Sequence, residues 1–220
     1  MSATATEITG ERRAAVICIG GAGAAIASML MERDCIADVI TVNTDGASVV
    51  GAQPDYSVVL SEESTRGDFV RAAEIALSRE NDLRALIRNY QYIYIVSAMG
   101  GGAGTGIAPV IAKYCRLENV EFYAGAVMPF SFEDRQHTAC EGFRALHAEC
   151  KENSVKFEND AVIAGADLSM SFEDVIRLAD ERICDSIEET LADIPNLADR
   201  KVPRTDASAL LAVGVRQAVI

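Results

Sequence analysis

The sequence contains no tryptophan, and its aromatic content is only 6%. A core built from this composition must therefore be largely aliphatic. Basic residues are also scarce, because 20 lysines and arginines stand against 33 aspartates and glutamates, for a formal net charge of −13. This balance argues against a nucleic-acid partner. It does not exclude a nucleotide, since backbone amides and helix N-termini hold phosphate without any lysine.

The residue spacings typical of metal sites and of redox motifs are absent. The six cysteines are scattered through apolar segments without a CxxC pair, and His137 and His147 do not match a zinc spacing. We expect reduced, buried thiols in a cytoplasmic protein rather than a disulfide framework, and no metal site built from side chains.

A long apolar run suited to crossing a membrane is also lacking. Two arginines precede an uncharged run, Ala14–Met31, that resembles a signal peptide. A glycine cluster divides this run into a β-type half, Val16–Ile19, and a helix-forming half, Ala24–Met31. A strand, a glycine turn and a helix are therefore favoured. Any membrane recruitment would run through a partner protein or a surface patch.

Short apolar runs alternate with amphipathic segments along the chain, which is typical of a parallel sheet covered by helices on both faces. Strands are predicted near residues 15–19, 38–45, 56–60, 92–96 and 121–130, and within 157–165. Helices are predicted near residues 23–33, 68–88, 104–116, 134–152 and 172–191. The expected fold is α/β, a three-layer Rossmann-like sheet with a long central helix.

The chain divides into three parts by composition. Residues 1–12 are polar and predicted as a flexible N-terminal tail. Residues 13–191 carry the alternating pattern and form the predicted nucleotide-binding domain, which includes the long helix. Residues 192–220 contain Pro195 and Pro203 and are predicted as a loop with a short C-terminal segment.

Two glycine clusters follow predicted strands at the same edge of the sheet. They are Gly20–Gly23 and Gly100–Gly106, and neither is followed by the Lys-Ser or Lys-Thr of a Walker A motif. Glycine lets backbone N–H groups approach phosphate oxygens, and the helix that follows favours negative charge at its N-terminus. Ligands bind at the carboxyl edge of such sheets. A phosphate site is therefore expected there, near Asn43, Asp45 and Pro129.

The first cluster also approaches the dinucleotide-binding fingerprint G-x-G-x-x-G. Ile26 stands in place of the third glycine, and Asp45 lies at about the distance of a ribose-binding acid. A dinucleotide-binding enzyme of Rossmann type is therefore an alternative hypothesis, but it leaves the second cluster unexplained.

The second cluster, GGGAGTG, resembles the GGGTGTG signature of tubulin and FtsZ, with Ala103 in place of one threonine. Five further segments are similar to FtsZ motifs in the same order: ICIGGAGAAIASML, VNTD, AVMPFSFED, FENDAVI and SMSFEDVIRLADERICDSIEETL. The resemblance spans roughly residues 14–211. It implies a divergent, short member of the FtsZ/tubulin superfamily, in which residues 192–220 stand in place of most of the family's C-terminal domain.

This resemblance implies a guanine nucleotide site. Backbone amides of both clusters, with the Thr105 hydroxyl, would hold the phosphates of GTP or GDP: Gly20, Gly21, Ala22, Gly23, Gly100, Gly101, Gly102, Ala103, Gly104, Thr105 and Gly106. Further nucleotide-binding candidates are Asn43, Asp45, Pro129 and Ile176. Mg²⁺ would come with the nucleotide, through phosphate oxygens and water.

Four more residues complete the implied site. Glu133 would contact the ribose, and Arg135 would reach the phosphates. Asn159 and Asp180 would read guanine, since a carboxylate that accepts from N1–H and the 2-amino group rejects adenine.

The residue patterns alone leave other interpretations open. Asp180 is typical of an exposed helix position, Asn159 and Asp160 are typical of a turn, and Ser131 is a candidate N-cap for the next helix. The phenylalanines expected in the core rather than against a ligand are Phe69, Phe143 and Phe172.

Several positions depart from the family pattern. The segment after the third strand keeps one glycine, Gly67, and His137 stands where the family has an arginine. The family hydrolyses GTP with acidic residues that a loop inserts into the next subunit's site. Here that loop falls on Lys201–Asp206, and only Asp206 matches. Asp206 is therefore the candidate catalytic residue, positioning the attacking water in a slow reaction.

The resemblance implies a protein that self-assembles head to tail, as a homo-oligomer or filament, when nucleotide binds. Its role would be cytoskeletal, in cell division or membrane remodelling, with slow GTP hydrolysis and a membrane-associated partner protein. The alternative is a scaffold or regulator that binds GTP or GDP without hydrolysis.

Overall fold

The computed structural model describes residues 13–45, 55–61, 64–167 and 169–197, together with the backbone of residues 216–217. The strands are β1 (Ala14–Ile19), β2 (Asp38–Asn43), β3 (Tyr56–Val59), β4 (Tyr92–Ala98), β5 (Glu121–Met128), β6 (Ser154–Glu158) and β7 (Arg216–Gln217). The helices are α1 (Gly20–Glu32), α2 (Phe69–Ser78), α3 (Glu80–Ile87), α4 (Gly102–Leu117), α5 (Gln136–Cys150), α6 (Asn159–Gly165) and α7 (Phe172–Ala192).

The described strands form one sheet in the order β6-β5-β4-β1-β2-β3-β7. The first six are parallel, and β7 pairs antiparallel with β3 at the sheet's edge. β1 lies at the centre, where Ile17 is opposite Ile40 on β2 and Ile95 on β4. The segments that follow β1 and β4 therefore lie side by side at the carboxyl edge.

Both faces of the sheet are covered, which explains why its strands read as continuous apolar runs. Every residue of β1 and β2 is buried. Helices α2 to α5 pack on one face around Leu86 and Ile111, while α1 and α7 pack on the other around Leu30 and Ile187. The predicted three-layer α/β fold is confirmed.

The long helix α7 is positioned by its sequence. Its N-terminus has a capping box in which the Ser171 hydroxyl accepts from the Asp174 amide and the Asp174 side chain accepts from the Ser171 amide. Apolar residues then recur at helical spacing along the buried stripe: Val175, Ala179, Ile183, Ile187 and Leu191. This stripe sets which face of α7 turns toward the sheet.

Three predicted elements differ from the structure in their bounds. The helix expected over residues 68–88 breaks into α2 and α3 at Arg79, whose guanidinium donates to the Leu60 carbonyl at 3.2 Å. The sixth strand, predicted within residues 157–165, is Ser154–Glu158, and the rest of that range forms α6, which begins directly at Asn159. The first helix also begins earlier than predicted, at Gly20.

The predictions for Ser131, the cysteines, a membrane span and the N-terminal tail have different outcomes. Ser131 does not cap the next helix, because α5 begins at Gln136 and Arg135 is its N-cap residue. The cysteines are free and buried with one exception, Cys140, which is exposed. Among the described residues, no helix has the length and apolar character needed to span a membrane. The predicted tail, residues 1–12, lies outside the described part of the chain.

Candidate functional site

A cavity of about 520 Å³ opens at the carboxyl edge of the sheet. Its walls are the turns after β1 and β4, the loop after β5, the start of α6 and the first turns of α7. The predicted site residues that line it are Gly20, Gly21, Ala22, Gly101, Gly102, Ala103, Gly104, Pro129, Glu133, Arg135, Asn159, Ile176 and Asp180. Segments far apart in sequence thus meet around one space.

The other predicted site residues do not line this cavity: Gly23, Asn43, Asp45, Gly100, Thr105 and Gly106. Asn43, the last residue of β2, and Asp45, just beyond the strand, are both buried. The Thr105 hydroxyl accepts from the Gly100 amide at 2.8 Å, so it closes its own turn. Asp206 lies outside the described residues.

The two glycine turns contact each other. Gly20 has a φ of +78°, which favours glycine, and a Cβ placed on it would lie 3.4 Å from the Gly104 nitrogen. Gly100 has a φ of +92°, and a Cβ there would lie 3.0 Å from the Arg135 Cβ. The first turn, the second turn and the loop after β5 are therefore packed together around the cavity.

The glycines of the second cluster serve different purposes. A Cβ on Gly104 would lie 2.2 Å from the Ala98 oxygen, and one on Gly106 would lie 2.2 Å from the Phe69 oxygen, so both allow α4 to pack closely. A Cβ on Gly101 would meet no atom within 4 Å, although Gly101 lines the cavity. Gly101 is thus the position where a bare backbone leaves room for a ligand.

Helices α1 and α4 both begin at the cavity. Ile19 and Gly101 are their N-cap residues, and no described side chain caps either helix. The first N–H groups of each helix therefore lack intrahelical partners, and both helix dipoles place positive potential at the cavity. This arrangement suits an anionic group such as phosphate.

The segment after β3 lies against the same helix start. A Cβ on Gly102 would lie 2.6 Å from the Thr65 hydroxyl oxygen, and Gly67 has a φ of +91°. Asp68 caps α2 by accepting from the Arg71 amide. The one glycine of this segment therefore provides a turn beside the N-terminus of α4.

Two charged candidates in the loop after β5 pair with each other. One Glu133 oxygen accepts from the Phe130 amide at 2.9 Å, and the other forms an ion pair with the Arg135 guanidinium. Arg135 is the single cation among the described residues that line the cavity. The side chain of His137 is 89% exposed and does not line it. Arg135, two residues earlier in the sequence, is instead the cation that faces the glycine turns.

The wall formed by α7 carries an acid. Asp180 lines the cavity, and burial raises its pKa to about 6. No described residue forms a hydrogen bond or ion pair with its carboxylate. Above its pKa the carboxylate therefore offers acceptor oxygens to a ligand's N–H donors. Asn159 lines the same cavity, whereas Asp160 accepts from the Ser131 amide at 3.0 Å.

Three phenylalanines at the cavity were not predicted as site residues. The Phe130 and Phe132 rings stack with their centroids 5.2 Å apart and an angle of 8° between their planes. The centroid of the Phe172 ring lies 6.0 Å from that of Phe132. Phe172 is 52% exposed, so its predicted place in the core is wrong. It begins α7 before the buried stripe starts, whereas Phe143 packs partly buried against the core as expected.

A sequence signal for the aromatic residues did exist. Phe130 and Phe132 flank Ser131 in a loop that directly follows a strand ending at the predicted ligand edge. The remaining cavity-lining residues that were not predicted are small or aliphatic and carry no such signal: Ile19, Ala25, Ala98, Met99, Val127, Met128 and Ala179.

The chain matches the GTPase domain of the tubulin/FtsZ family over residues 13–167. Cell division protein FtsZ 2 of Methanocaldococcus jannaschii is 30% identical over 221 residues, which cover 93% of this chain and 55% of that protein. Cell division protein FtsZ 1 of Pyrococcus horikoshii is 27% identical over 186 residues, covering 81% of this chain and 50% of that protein. The chain spans about half the length of these curated relatives.

Solved structures share the fold. An empty FtsZ dimer from M. jannaschii superimposes with a TM-score of 0.75 at 22% identity, over 93% of this chain and 61% of that chain. A GTPγS-bound protofilament of CetZ2 from Haloferax volcanii gives a TM-score of 0.71 at 23% identity, over 82% of this chain and 58% of that chain. With the family match over most of its length, this chain belongs to the tubulin/FtsZ family of GTPase domains.

Proposed function

We propose that this chain binds GTP and GDP in the cavity at the carboxyl edge of its sheet. The observation that carries this proposal is the contact between the two glycine turns, where Gly20 approaches the Gly104 nitrogen while Gly101 leaves open space. Two helix N-termini begin at these turns. Phosphates between them would accept hydrogen bonds from backbone amides in a field that favours negative charge.

The α7 side of the cavity fits the guanine base. The Asp180 carboxylate would accept from N1–H and the 2-amino group of guanine, and Asn159 offers an amide nearby. Adenine lacks these two donors, so it would leave a half-buried carboxylate unpaired. Glu133 would contact the ribose, and Arg135 would balance phosphate charge.

The dinucleotide-binding alternative is less well supported. Its ribose-binding acid would be Asp45, which is buried just beyond the end of β2 and does not line the cavity. Both glycine turns border the same space, as one phosphate site requires.

Nucleotide-dependent self-association and slow hydrolysis complete the proposal. The relatives support it by name, because the M. jannaschii FtsZ forms a dimer and the H. volcanii CetZ2 forms a GTPγS-bound protofilament. A head-to-tail contact is heterologous and gives rings or open filaments. Asp206 of one copy would then position water in the site of the next. The role would be cytoskeletal or in cell division within the cytoplasm, with a membrane-associated partner protein for recruitment.

Lys201 and Pro203 favour a second candidate, a scaffold that binds GTP or GDP without hydrolysis. They stand where the family's loop carries polar and acidic residues, so one carboxylate, Asp206, would have to act alone. Mg²⁺ would be held by phosphate oxygens and water. Among the described residues, no group of three or more His, Cys, Asp or Glu side chains could hold a metal ion.

Sedimentation with GTP, with GDP and without nucleotide, run beside a phosphate-release assay, tests the proposal. Pelleting that requires GTP, with release that falls in an Asp206→Ala variant, is the expected result. Pelleting without release above that variant's rate would favour the scaffold. Titration calorimetry that detects no binding of either nucleotide would overturn both.

A further inference from the structure

The outer edge of β3 is covered only in part by the described strands. On its inner side β3 pairs with β2 along its whole length, from Tyr56 to Val59. On its outer side β7 pairs antiparallel with Tyr56 and Ser57 alone. Among the described strands, none pairs with the outer side of Val58 and Val59. A strand edge of this kind is a template for a further extended segment.

The residues that precede β7 in the sequence suit a place on this edge. Residues 207–215, with the sequence ASALLAVGV, carry no charge and are mostly apolar. They lie outside the described part of the chain. An apolar run gains free energy when it is removed from water, and β7 joins this run directly to the covered part of the edge.

The register of β7 predicts which residues of the run would face the core. Continuing the observed antiparallel register back along the sequence places Val215 opposite Val58 and Val213 opposite Leu60. Val58 and Leu60 are 3% and 4% exposed, and they belong to the core on the face that α2 to α5 cover. Because directly opposite residues of two strands share a face, Val213 and Val215 would extend this core.

The residues between and before these valines suit the opposite face. Gly214 and Ala212 would lie on the side of Ser57 and Val59, which are both half-buried. Large apolar side chains would thus alternate with small ones, which is typical of a strand with one buried face. A register shifted by one residue would exchange the faces and turn both valines away from the core.

We propose that residues 210–215 dock along the outer edge of β3 as a continuation of β7, so that the chain's own C-terminal segment occupies this edge. The inference does not depend on the nucleotide site. The docked segment would remove its valines from water and keep other chains from pairing with β3. Undocking should therefore cause association without nucleotide, unlike the nucleotide-dependent association of the proposed function.

The length of the connecting chain allows the same molecule to supply the segment. Residues 198–209 span up to roughly 40 Å when extended. They follow Leu197, close to Ile194, which shares a groove with Tyr92 at the start of β4. β4 and β7 are four positions apart in the sheet, roughly 20 Å, and a strand is itself roughly 20 Å long. A tethered segment within reach has a far higher effective concentration than a second copy.

Two neighbouring aspartate substitutions test the assigned faces in the full chain. Val213→Asp would place a charge on the core face, and Ala212→Asp would place the same charge on the opposite face. Val213→Asp should speed hydrogen exchange of the backbone amides of residues 56–61 by at least roughly tenfold, because burial of an unpaired charge is costly. It should also sediment as larger species without nucleotide. Ala212→Asp should exchange and sediment as the wild type does.

A pair of introduced cysteines tests the register and the source of the segment. Directly opposite residues of antiparallel strands have Cα atoms roughly 4.5–5.5 Å apart, within reach of a disulfide. In a Cys140→Ser background, which removes the exposed native thiol, Val58→Cys with Val215→Cys should form an intrachain disulfide on mild oxidation. The control pair, Val58→Cys with Gly214→Cys, would have its side chains on opposite faces and should not.

Three outcomes would contradict the proposal. A disulfide-linked dimer would assign the edge to a second copy, and equal crosslinking of the control pair would overturn the register. No crosslink in either pair, with equal exchange rates in the two aspartate variants, would overturn the docking itself. None of these outcomes bears on GDP binding, so the nucleotide site would stand in each case.

Discussion

Gly20 and Gly104 face each other across the boundary between the two turns, so closely that a Cβ on Gly20 would lie 3.4 Å from the Gly104 nitrogen. β1 and β4 are neighbours in the sheet, and this pairing brings the two turns together. The starts of α1 and α4 therefore converge on one cavity. An anion bound there would meet amide donors from both segments.

Two glycines of the second cluster should respond differently to alanine. Gly104→Ala should destabilise the fold by roughly 2–3 kcal/mol, because the new Cβ would lie 2.2 Å from the Ala98 oxygen. Gly101→Ala should change stability by less than about 1 kcal/mol, since its φ of −94° is open to alanine and the Cβ meets no atom. Thermal unfolding measures both effects.

The Gly101→Ala variant should nevertheless bind GDP at least roughly tenfold more weakly, because its methyl group would occupy the space beside the turn's backbone. Calorimetric titration of the folded variant measures this. Wild-type affinity in Gly101→Ala would mean that the phosphates do not approach this turn.

Asp180 should lower the stability of the nucleotide-free protein. Its folded pKa of about 6 lies above the unfolded value of 3.8, so the folded state binds more protons between these values and loses stability as pH rises through them. Above pH 6 the ionised Asp180 carboxylate should lower the free energy of unfolding by on the order of 2 kcal/mol, a figure reduced because the side chain is partly exposed. Asp180→Asn should therefore stabilise the protein above pH 6 and change little below 3.8. Urea unfolding across this range checks the sign.

The same variant should lose nucleotide affinity. Asp180→Asn should bind GDP roughly 10- to 100-fold more weakly, because an amide replaces charged acceptors. Wild-type affinity for GDP should fall as pH drops through about 6, where the carboxyl group becomes protonated, and the variant should lack this dependence. Equal pH profiles for the two proteins would indicate that Asp180 does not read the base.

Arg135 should contribute to GTP binding in a salt-dependent way. It is the single cation among the described cavity-lining residues, and its ion pair with Glu133 would be exchanged for phosphate. Arg135→Ala should weaken GTP binding and flatten its dependence on ionic strength. The control is His137→Ala, whose native side chain does not line the cavity. A larger loss of GTP affinity in His137→Ala than in Arg135→Ala would assign the phosphate contact to His137 instead.

The N-cap of α7 should affect both the free energy of unfolding and the affinity of the cavity for GDP. Ser171→Ala removes the hydroxyl that accepts from the Asp174 amide at 3.1 Å and should cost about 1 kcal/mol. Phe172 follows the cap directly, so fraying of the first turn would also loosen its ring. Unfolding by denaturant and GDP titration should both show the change, and a loss of stability without any loss of affinity would separate the cap from the site.

The layers of the fold follow from the sequence because buried parallel strands read as apolar runs. The bounds and type of individual elements are less well specified by the sequence. The stretch after Glu158 is short and apolar, which suits a strand or a helix equally, and only the packing of Val162 against α7 distinguishes them. Likewise, Arg79 at the break between α2 and α3 donates a hydrogen bond to the carbonyl of Leu60, a contact distant in sequence that helical periodicity does not reveal.

The candidate site, like the fold, could be predicted from the sequence only in part. The glycine clusters predict which two turns meet at the edge of the sheet, and the family resemblance implied the further cavity residues Glu133, Arg135, Asn159, Ile176 and Asp180. Hydrophobicity alone could not place Phe172, because the first turn of a helix can extend beyond the core it leads into. Nor could it distinguish Gly101, which faces open space, from Gly104, which packs against Ala98.

A crystal structure of the GDP complex would show where the nucleotide binds. We predict phosphates between residues 20–22 and 101–104, with the guanine edge facing the Asp180 carboxylate. GDP bound on any other surface, or in this cavity with its base directed away from Asp180, would contradict this prediction.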